Sequence, residues 1–229
     1  NLIYALNTTD NLATAISVKN QGKEGLKYPS QDKSGNVYYL AGESIAQLDA
    51  KTEKIKNLTI ALSGDWQNIK AASNFNNKLY LADGGSGQIY VYSRAGDNFG
   101  AGGAWLKKAA DLSNAVSMDI DGSIYILKNN GEVLKYLKGG MEDFALKPIE
   151  PKLETGIKII AKSESKYIYM LEPSKKRIIA YDKDGKFLSQ YQFENLSDLK
   201  DFIVDESKKI IYLLNGSSVY KAEATHLGG

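Results

Sequence analysis

An all-β fold with a repeated unit is what this sequence of 229 residues predicts, and three observations predict it. Five short segments share an aliphatic residue, a tyrosine and then further apolar residues. They are Val37-Tyr38-Tyr39-Leu40, Leu79-Tyr80-Leu81-Ala82, Ile124-Tyr125-Ile126-Leu127, Ile168-Tyr169-Met170-Leu171 and Ile211-Tyr212-Leu213-Leu214. Their first tyrosines stand at 38, 80, 125, 169 and 212, so the steps are 42, 45, 44 and 43 residues. Each segment follows a turn rich in Gly, Asn, Asp, Ser or Lys, the types that suit tight hairpins. No helical period of comparable length interrupts the pattern. Even repeats of short strands at this spacing predict a β-propeller, in which sheets that cannot bury both faces alone are stacked radially.

Within each unit the elements read in order. The tyrosine segment is the second strand, enriched in β-branched and aromatic residues. The apolar stretch before the turn is the first, clearest in Ala115-Val116-Ser117-Met118, Lys158-Ile159-Ile160-Ala161 and Asp201-Phe202-Ile203-Val204. After the second strand a further turn leads to a third: Ile45 to Leu48, Ile89 to Tyr92, Val133 to Tyr136, Ile178 to Tyr181 and Val219 to Ala222. A less regular fourth strand follows in most units, such as Phe187 to Phe193. The glycine-rich run from Gly96 to Trp105 reads as a longer loop between outer strands, since a phosphate cradle would need a helix after it.

Two stretches carry a family resemblance. Lys176-Arg177-Ile178-Ile179-Ala180-Tyr181-Asp182-Lys183-Asp184-Gly185-Lys186-Phe187 and Asp119-Ile120-Asp121-Gly122-Ser123-Ile124-Tyr125-Ile126-Leu127 resemble NHL-type repeats. The resemblance implies a fold and no activity. The N-terminus bears on the blade count. Leu2 through Val18 aligns without gaps on Arg177 through Phe193, so it reads as a third and fourth strand. The C-terminus, from about Lys200 to Glu223, supplies a first, second and third. Four complete blades plus a composite from both termini give five in one domain, residues 1–229. The third strand is then supplied twice, and six blades is the alternative.

Composition excludes several function classes. The net charge is +2 from 29 basic and 27 acidic residues, too balanced for nucleic-acid binding by counterion release. Only Arg94 and Arg177 are arginines, the side chain that reads phosphate and guanine in bidentate fashion. No apolar run is long enough to span a membrane as a helix. The chain has no cysteine, which removes disulfides, thiolate metal sites and a cysteine nucleophile, and leans towards an extracytoplasmic bacterial protein. A sialidase-like site would need three arginines and a zinc-dependent lyase several histidines. The single histidine, His226, reads as a mobile tail residue.

No cofactor and no metal site are expected. Asp119-Ile120-Asp121-Gly122 and Asp182-Lys183-Asp184-Gly185 begin like calcium loops, lack the closing bidentate Glu, and read as hairpin turns. The Asn-X-Ser/Thr triplets at Asn7, Asn57, Asn195 and Asn215 read as chance in an Asn-rich chain.

A ligand is expected on loops that enter the first strands or leave the second strands. These carry Asp65 and Trp66, Asp83 and Ser86, Asp111 and Asn114, Asn129 and Asn130, Glu172 and Ser174, Asn195, and Asn215. The candidate ligand-binding face is Asp65, Trp66, Asp83, Asn129, Glu172, Asn195 and Asn215. Trp66 suits a sugar ring or a protein hot spot, or else plugs the gap between blades. The resulting expectation is a non-catalytic module that binds a protein partner, within a larger protein. A carbohydrate- or small-ligand-binding propeller and a metal-dependent hydrolase with a central-channel site are the alternatives.

Overall fold

The structure is a computed structural model that describes residues 2–6, 13–17, 25–61 and 66–228, the first two segments as backbone only. Its secondary structure is all strand, apart from two single-turn 3-10 helices among the described residues. Strands β1 (Leu2–Leu6) and β2 (Ala13–Ser17) pair antiparallel as a two-stranded sheet. Then come β3 (Lys27–Gln31), β4 (Val37–Ala41), β5 (Ser44–Leu48) and β6 (Ile55–Leu58), an antiparallel sheet in chain order. The next sheet holds β7 (Ile69–Phe75), β8 (Lys78–Asp83), β9 (Gln88–Ala95) and β10 (Asn98–Ala104). It is followed by β11 (Ala115–Ile120), β12 (Ile124–Lys128), β13 (Val133–Leu137) and β14 (Gly140–Met141). The fourth meander is β15 (Lys158–Ile160), β16 (Tyr167–Glu172), β17 (Arg177–Asp182) and β18 (Phe187–Gln192). The last sheet is β19 (Leu199–Asp205), β20 (Ile210–Asn215) and β21 (Ser218–Glu223).

The fold class is therefore the expected one, an all-β five-blade β-propeller. The fifth blade differs in detail. It consists of β19, β20 and β21, while β1 and β2 form their own sheet, so no four-stranded sheet is assembled from both termini among the described strands. The reason is the double supply of one position: β1 and β21 both correspond to the third strand of a blade, and a sheet has one such place.

By contacts the chain divides into two compact units. The first comprises residues 1–66, 72–81 and 89–104, and the second 67–71, 82–88 and 105–229. In the second unit, two apolar clusters lie between successive sheets. One joins Tyr125, Leu127 and Val133 to Ile168, Met170, Ile179 and Tyr181. The other joins Tyr169, Leu171, Ile178 and Ala180 to Phe202, Ile211 and Leu213. The β15–β18 sheet is thus covered on both faces, which is why its strands read as continuous apolar runs. Each Ile or Leu so buried contributes on the order of 1.5–3 kcal/mol.

The repeated tyrosine has a physical explanation. Its ring is buried in all five repeats, and in three of them its hydroxyl reaches a carboxylate at a hairpin turn, the partner a buried tyrosine usually finds. Tyr38 donates to Asp32 (3.0 Å), Tyr125 to Asp121 (3.2 Å) and Tyr169 to Glu206 (3.1 Å). Desolvation, followed by the Asp32 hydrogen bond, pushes the Tyr38 phenol up to about 12. Desolvation and the neighbouring carboxylate also raise Tyr125 and Tyr169, so all three stay neutral donors. Asp121-Gly122 and Asp184-Gly185 lie in the hairpins between β11 and β12 and between β17 and β18, with the glycines at φ +130° and +81°.

The glycine-rich run after Gly96 is a strand, contrary to the expected loop. β10 pairs with β9, with a bulge between Phe99 and Gly102. A Cβ on Gly102 would collide with the buried Tyr92 ring. Glycine there lets the backbone lie directly on the tyrosine.

Candidate functional site

Three of the expected face residues turn out to share one structural task. Asp83, Glu172 and Asn215 each stand three places beyond the repeated tyrosine, at the end of a second strand. Each accepts backbone N–H groups from the loop that enters the first strand. Asp83 takes those of Gln67 and Asn68, both at 2.8 Å, with Gly85 at 2.8 Å and Ser86 at 3.3 Å. Glu172 takes those of Glu154 (2.9 Å) and Thr155 (3.2 Å), and the Asn215 amide oxygen takes that of Asp198 (2.8 Å). Burial pushes the Asp83 carboxyl up, but its four N–H donors outweigh this and hold it below the ordinary carboxylate range. These side chains bond loop N–H groups and so tie each loop to the end of a second strand.

The other expected residues have different local surroundings. Asp65 lies outside the described residues. Trp66 is half-buried, and its indole N–H donates to the Tyr92 hydroxyl at 2.7 Å with the rings edge to face. Its polar tip is thus engaged internally, as in a packing role. Asn129 and Asn195 are exposed. Asp111 accepts from the Ser113 backbone and hydroxyl and pairs with Lys128. Asn130 accepts from the Glu132 N–H at 3.1 Å, and the Ser174 hydroxyl bonds that of Thr155.

Both arginines serve as internal clamps. Arg94 lies over the Tyr38 and Phe99 rings at 5.7 and 5.2 Å and donates to the Gly96 carbonyl. Arg177 is fully buried and donates through Nε to Glu172 at 2.7 Å. Its Nη1 reaches Gln190 at 2.6 Å, and its Nη2 reaches the carbonyls of Pro151 (2.7 Å) and Lys152 (3.2 Å).

The first strands carry a polar row that the sequence reading missed. Ser117, Lys158 and Asp201 occupy equivalent places, opposite Leu127, Leu171 and Leu214 respectively. The Ser117 hydroxyl accepts from the Ile159 N–H at 3.1 Å, and Lys158 pairs with Asp201. Asp119 accepts from the Ala161 N–H at 2.8 Å. Distance from the tyrosine does not expose the row, because Ser117 stands 8 residues before its tyrosine and Lys158 and Asp201 stand 11 before theirs, so hairpins of different length hide the register.

His226 is the clearest correction. It is not a loose tail residue but the centre of a tyrosine cluster, half-buried in the 3-10 turn Thr225–Leu227. Its ring lies edge to face with Tyr167, Tyr169 and Tyr191, at 5.1, 5.5 and 5.7 Å. Nε2 lies 3.0 Å from the Tyr169 hydroxyl, and Nδ1 bonds that of Tyr191. Because Tyr169 donates to Glu206, its oxygen must accept from Nε2–H. Nδ1 is then the acceptor for Tyr191, whose oxygen in turn accepts the His226 backbone N–H at 3.0 Å. The network thus assigns the neutral Nε2–H tautomer and ties residues 224–228 to β16 and β18.

Desolvation lowers the His226 pKa below its ordinary value of 6.5, against an opposing pull from Glu206. The folded state therefore holds fewer protons there than the unfolded chain, and stability rises with pH through this group. No other side chain with an ordinary pKa titrates between pH 5 and 7, because the chain has one histidine. Urea midpoints are expected to fall progressively as pH drops below about 6.5, and His226→Gln is expected to flatten that segment. An unchanged slope in the variant would remove the assignment.

No protein-family model matches the chain, and no curated protein matches it. Solved structures do. A streptogramin B lyase aligns at 13% identity over 91% of this chain and 71% of its own, with a TM-score of 0.55. A candidate 6-phosphogluconolactonase from Bacteroides uniformis aligns at 12% identity over 96% and 76%, with a TM-score of 0.64. A Bacteroides caccae protein of unknown function aligns at 7% identity over 98% and 86%, with a TM-score of 0.65. At these identities the likeness establishes the fold alone: the chain shares the propeller architecture of proteins whose described activities differ from one another.

Proposed function

We propose that this propeller is a non-catalytic interaction module whose partner is a protein. The observation that supports the reading is the bonding of its chemically capable side chains. Asp83 and Glu172 are filled by backbone donors, Arg177 is clamped within its own sheet, and His226 is spent on tyrosine hydroxyls. Asp119 and Asp201, the carboxylates a channel metal would recruit from first strands, hold the Ala161 N–H and Lys158. Side chains committed in this way serve rigidity, and a rigid all-β body offers its surface for recognition. The engaged indole of Trp66 weakens the carbohydrate alternative.

A thermal-shift screen against divalent cations, mono- and disaccharides and a panel of extended peptides tests the proposal. A ligand bound only by the folded state at one hundred times its dissociation constant stabilises by ~2.7 kcal/mol. Saturable stabilisation is expected from peptides, and none from cations or sugars. A calcium shift reversed by chelator, or a sugar shift lost in Trp66→Ala, would overturn the reading.

A further inference from the structure

Among the described strands, the last blade ends on a bare one. Three other third strands are buried at two successive places: Ile45 and Ala46 in β5 are 1% and 0% exposed, Val133 and Leu134 in β13 are 6% and 7%, and Ile178 and Ile179 in β17 are both 0%. Val219 and Tyr220, at the same two places in β21, are 44% and 43% exposed. The four-stranded sheets place a fourth strand against the third, and the β19–β21 sheet has none among the described strands.

The residues that follow do not supply one. In the preceding blade β17 passes through a tight turn into β18. After β21 the chain instead bonds Ala224 N–H to the Lys209 carbonyl and locks His226 between Tyr169 and Tyr191. The path a fourth strand would take is thus left open by a specific contact.

Register shows what this edge offers. A two-residue turn, with Gly216 at φ +61°, closes β20 and β21 at the pair Asn215 and Ser218. Such a closing pair exchanges hydrogen bonds, and pairs alternate from there. Val219, Lys221 and Glu223 therefore point their N–H and C=O groups away from β20. Beside them lies a depression of about 360 Å³ lined by Lys208, Lys209, Ile210, Lys221, Ala222 and Glu223. Lys208 pairs with Asp205, whereas Lys209 and Lys221 have no carboxylate partner among the described residues. Lys221 lies over the Tyr212 ring at 5.5 Å.

We infer that β21 is a docking edge for an extended acidic segment of a partner protein, which adds as the fourth strand of the blade. The inference rests on the interaction-module reading and specifies its site. β18 is the template: its Tyr191 stands opposite Ile178 and its Ser189 opposite Ala180. The added strand accordingly places an aromatic opposite Val219 and an acidic residue opposite Lys221. Main-chain bonds supply affinity and the alternate side chains supply selection.

The test titrates a fluorescent, terminally blocked eight-residue peptide in which Asp or Glu stands two residues before a Tyr, the spacing of Ser189 and Tyr191 in β18. A control peptide has Lys at the acidic positions. Saturable binding of the acidic peptide is expected, with at least tenfold weaker binding of the control. Val219→Pro removes an outward N–H and keeps the β20 ladder, so it should weaken binding at least tenfold without changing the melting temperature or the circular dichroism. Lys221→Glu should weaken the acidic peptide and favour the control. Acidic-peptide binding that survives Val219→Pro would overturn this site and leave the interaction-module reading standing. No binding by the wild type would also overturn it, and would make Lys221 a guard against edge pairing. A concentration-dependent dimer abolished by Val219→Pro would overturn it in favour of a second copy. Stabilisation by a cation or sugar would overturn the interaction-module reading itself, whatever the peptide does.

Discussion

Glu172→Ala is expected to cost about 3–5 kcal/mol, because it strands the Arg177 charge in a fully buried position. The pair is 2.7 Å apart with neither side chain more than 1% exposed. Removing the carboxylate also takes the acceptor from the N–H groups of Glu154 and Thr155, a smaller additional loss because both residues are exposed. Replacing both partners by apolar residues, Glu172→Leu with Arg177→Met, removes the isolated charge. The double variant should therefore be less destabilised than the sum of the single ones. It should not regain the full wild-type stability, since the carbonyls of Pro151 and Lys152 lose their donor as well. Urea unfolding monitored by tyrosine fluorescence reads all three variants, provided the denaturant slope stays constant. A loss below about 1 kcal/mol for Glu172→Ala would mean the pair is solvated in a way its burial contradicts.

Tyr169→Ala is the second large effect, about 3–5 kcal/mol, the range for truncating a buried aromatic. The ring is fully buried and belongs to the cluster that joins the last two sheets. Tyr169→Phe separates ring from hydroxyl. It keeps the volume but takes the donor from Glu206 and the acceptor from His226 Nε2, so a loss of about 1–3 kcal/mol is expected. Phe should also loosen the C-terminal turn, which faster amide exchange at residues 224–228 would report. A neutral Tyr169→Phe with unchanged exchange would assign the tyrosine's whole role to its ring.

The same residue shows why the fold was legible. A tyrosine recurring every forty-odd residues is the imprint of a buried ring used five times, with the hydroxyl at a turn carboxylate in Tyr38, Tyr125 and Tyr169. Strand positions followed from this imprint, because alternation and turn chemistry are local. The Gly96 to Trp105 run misled for an equally definite reason. Glycine lowers strand propensity on its own, but here it makes room for Tyr92, a neighbour the local sequence does not announce.

The candidate face was only partly legible. Asp83, Glu172 and Asn215 were read into the loops that leave the second strands and prove to be the last residues of those strands, since polar residues there look alike whether they face solvent or cap a neighbouring loop. His226 read as a tail residue because it follows the last strand and falls in no repeat register, while its partners Tyr169 and Tyr191 are 57 and 35 residues away.

By itself, then, the sequence determined the all-β class, the strand order within each blade and the scarcity of arginine, histidine and cysteine, since periodicity, turn residues and composition are read without the fold. Only the tertiary structure decided which polar groups are spent and which are available. Whether a carboxylate, an arginine or an edge strand finds a partner depends on residues brought close by the stacking of sheets. Burial and hydrogen-bond saturation are properties of that packing, and no window of the chain contains them.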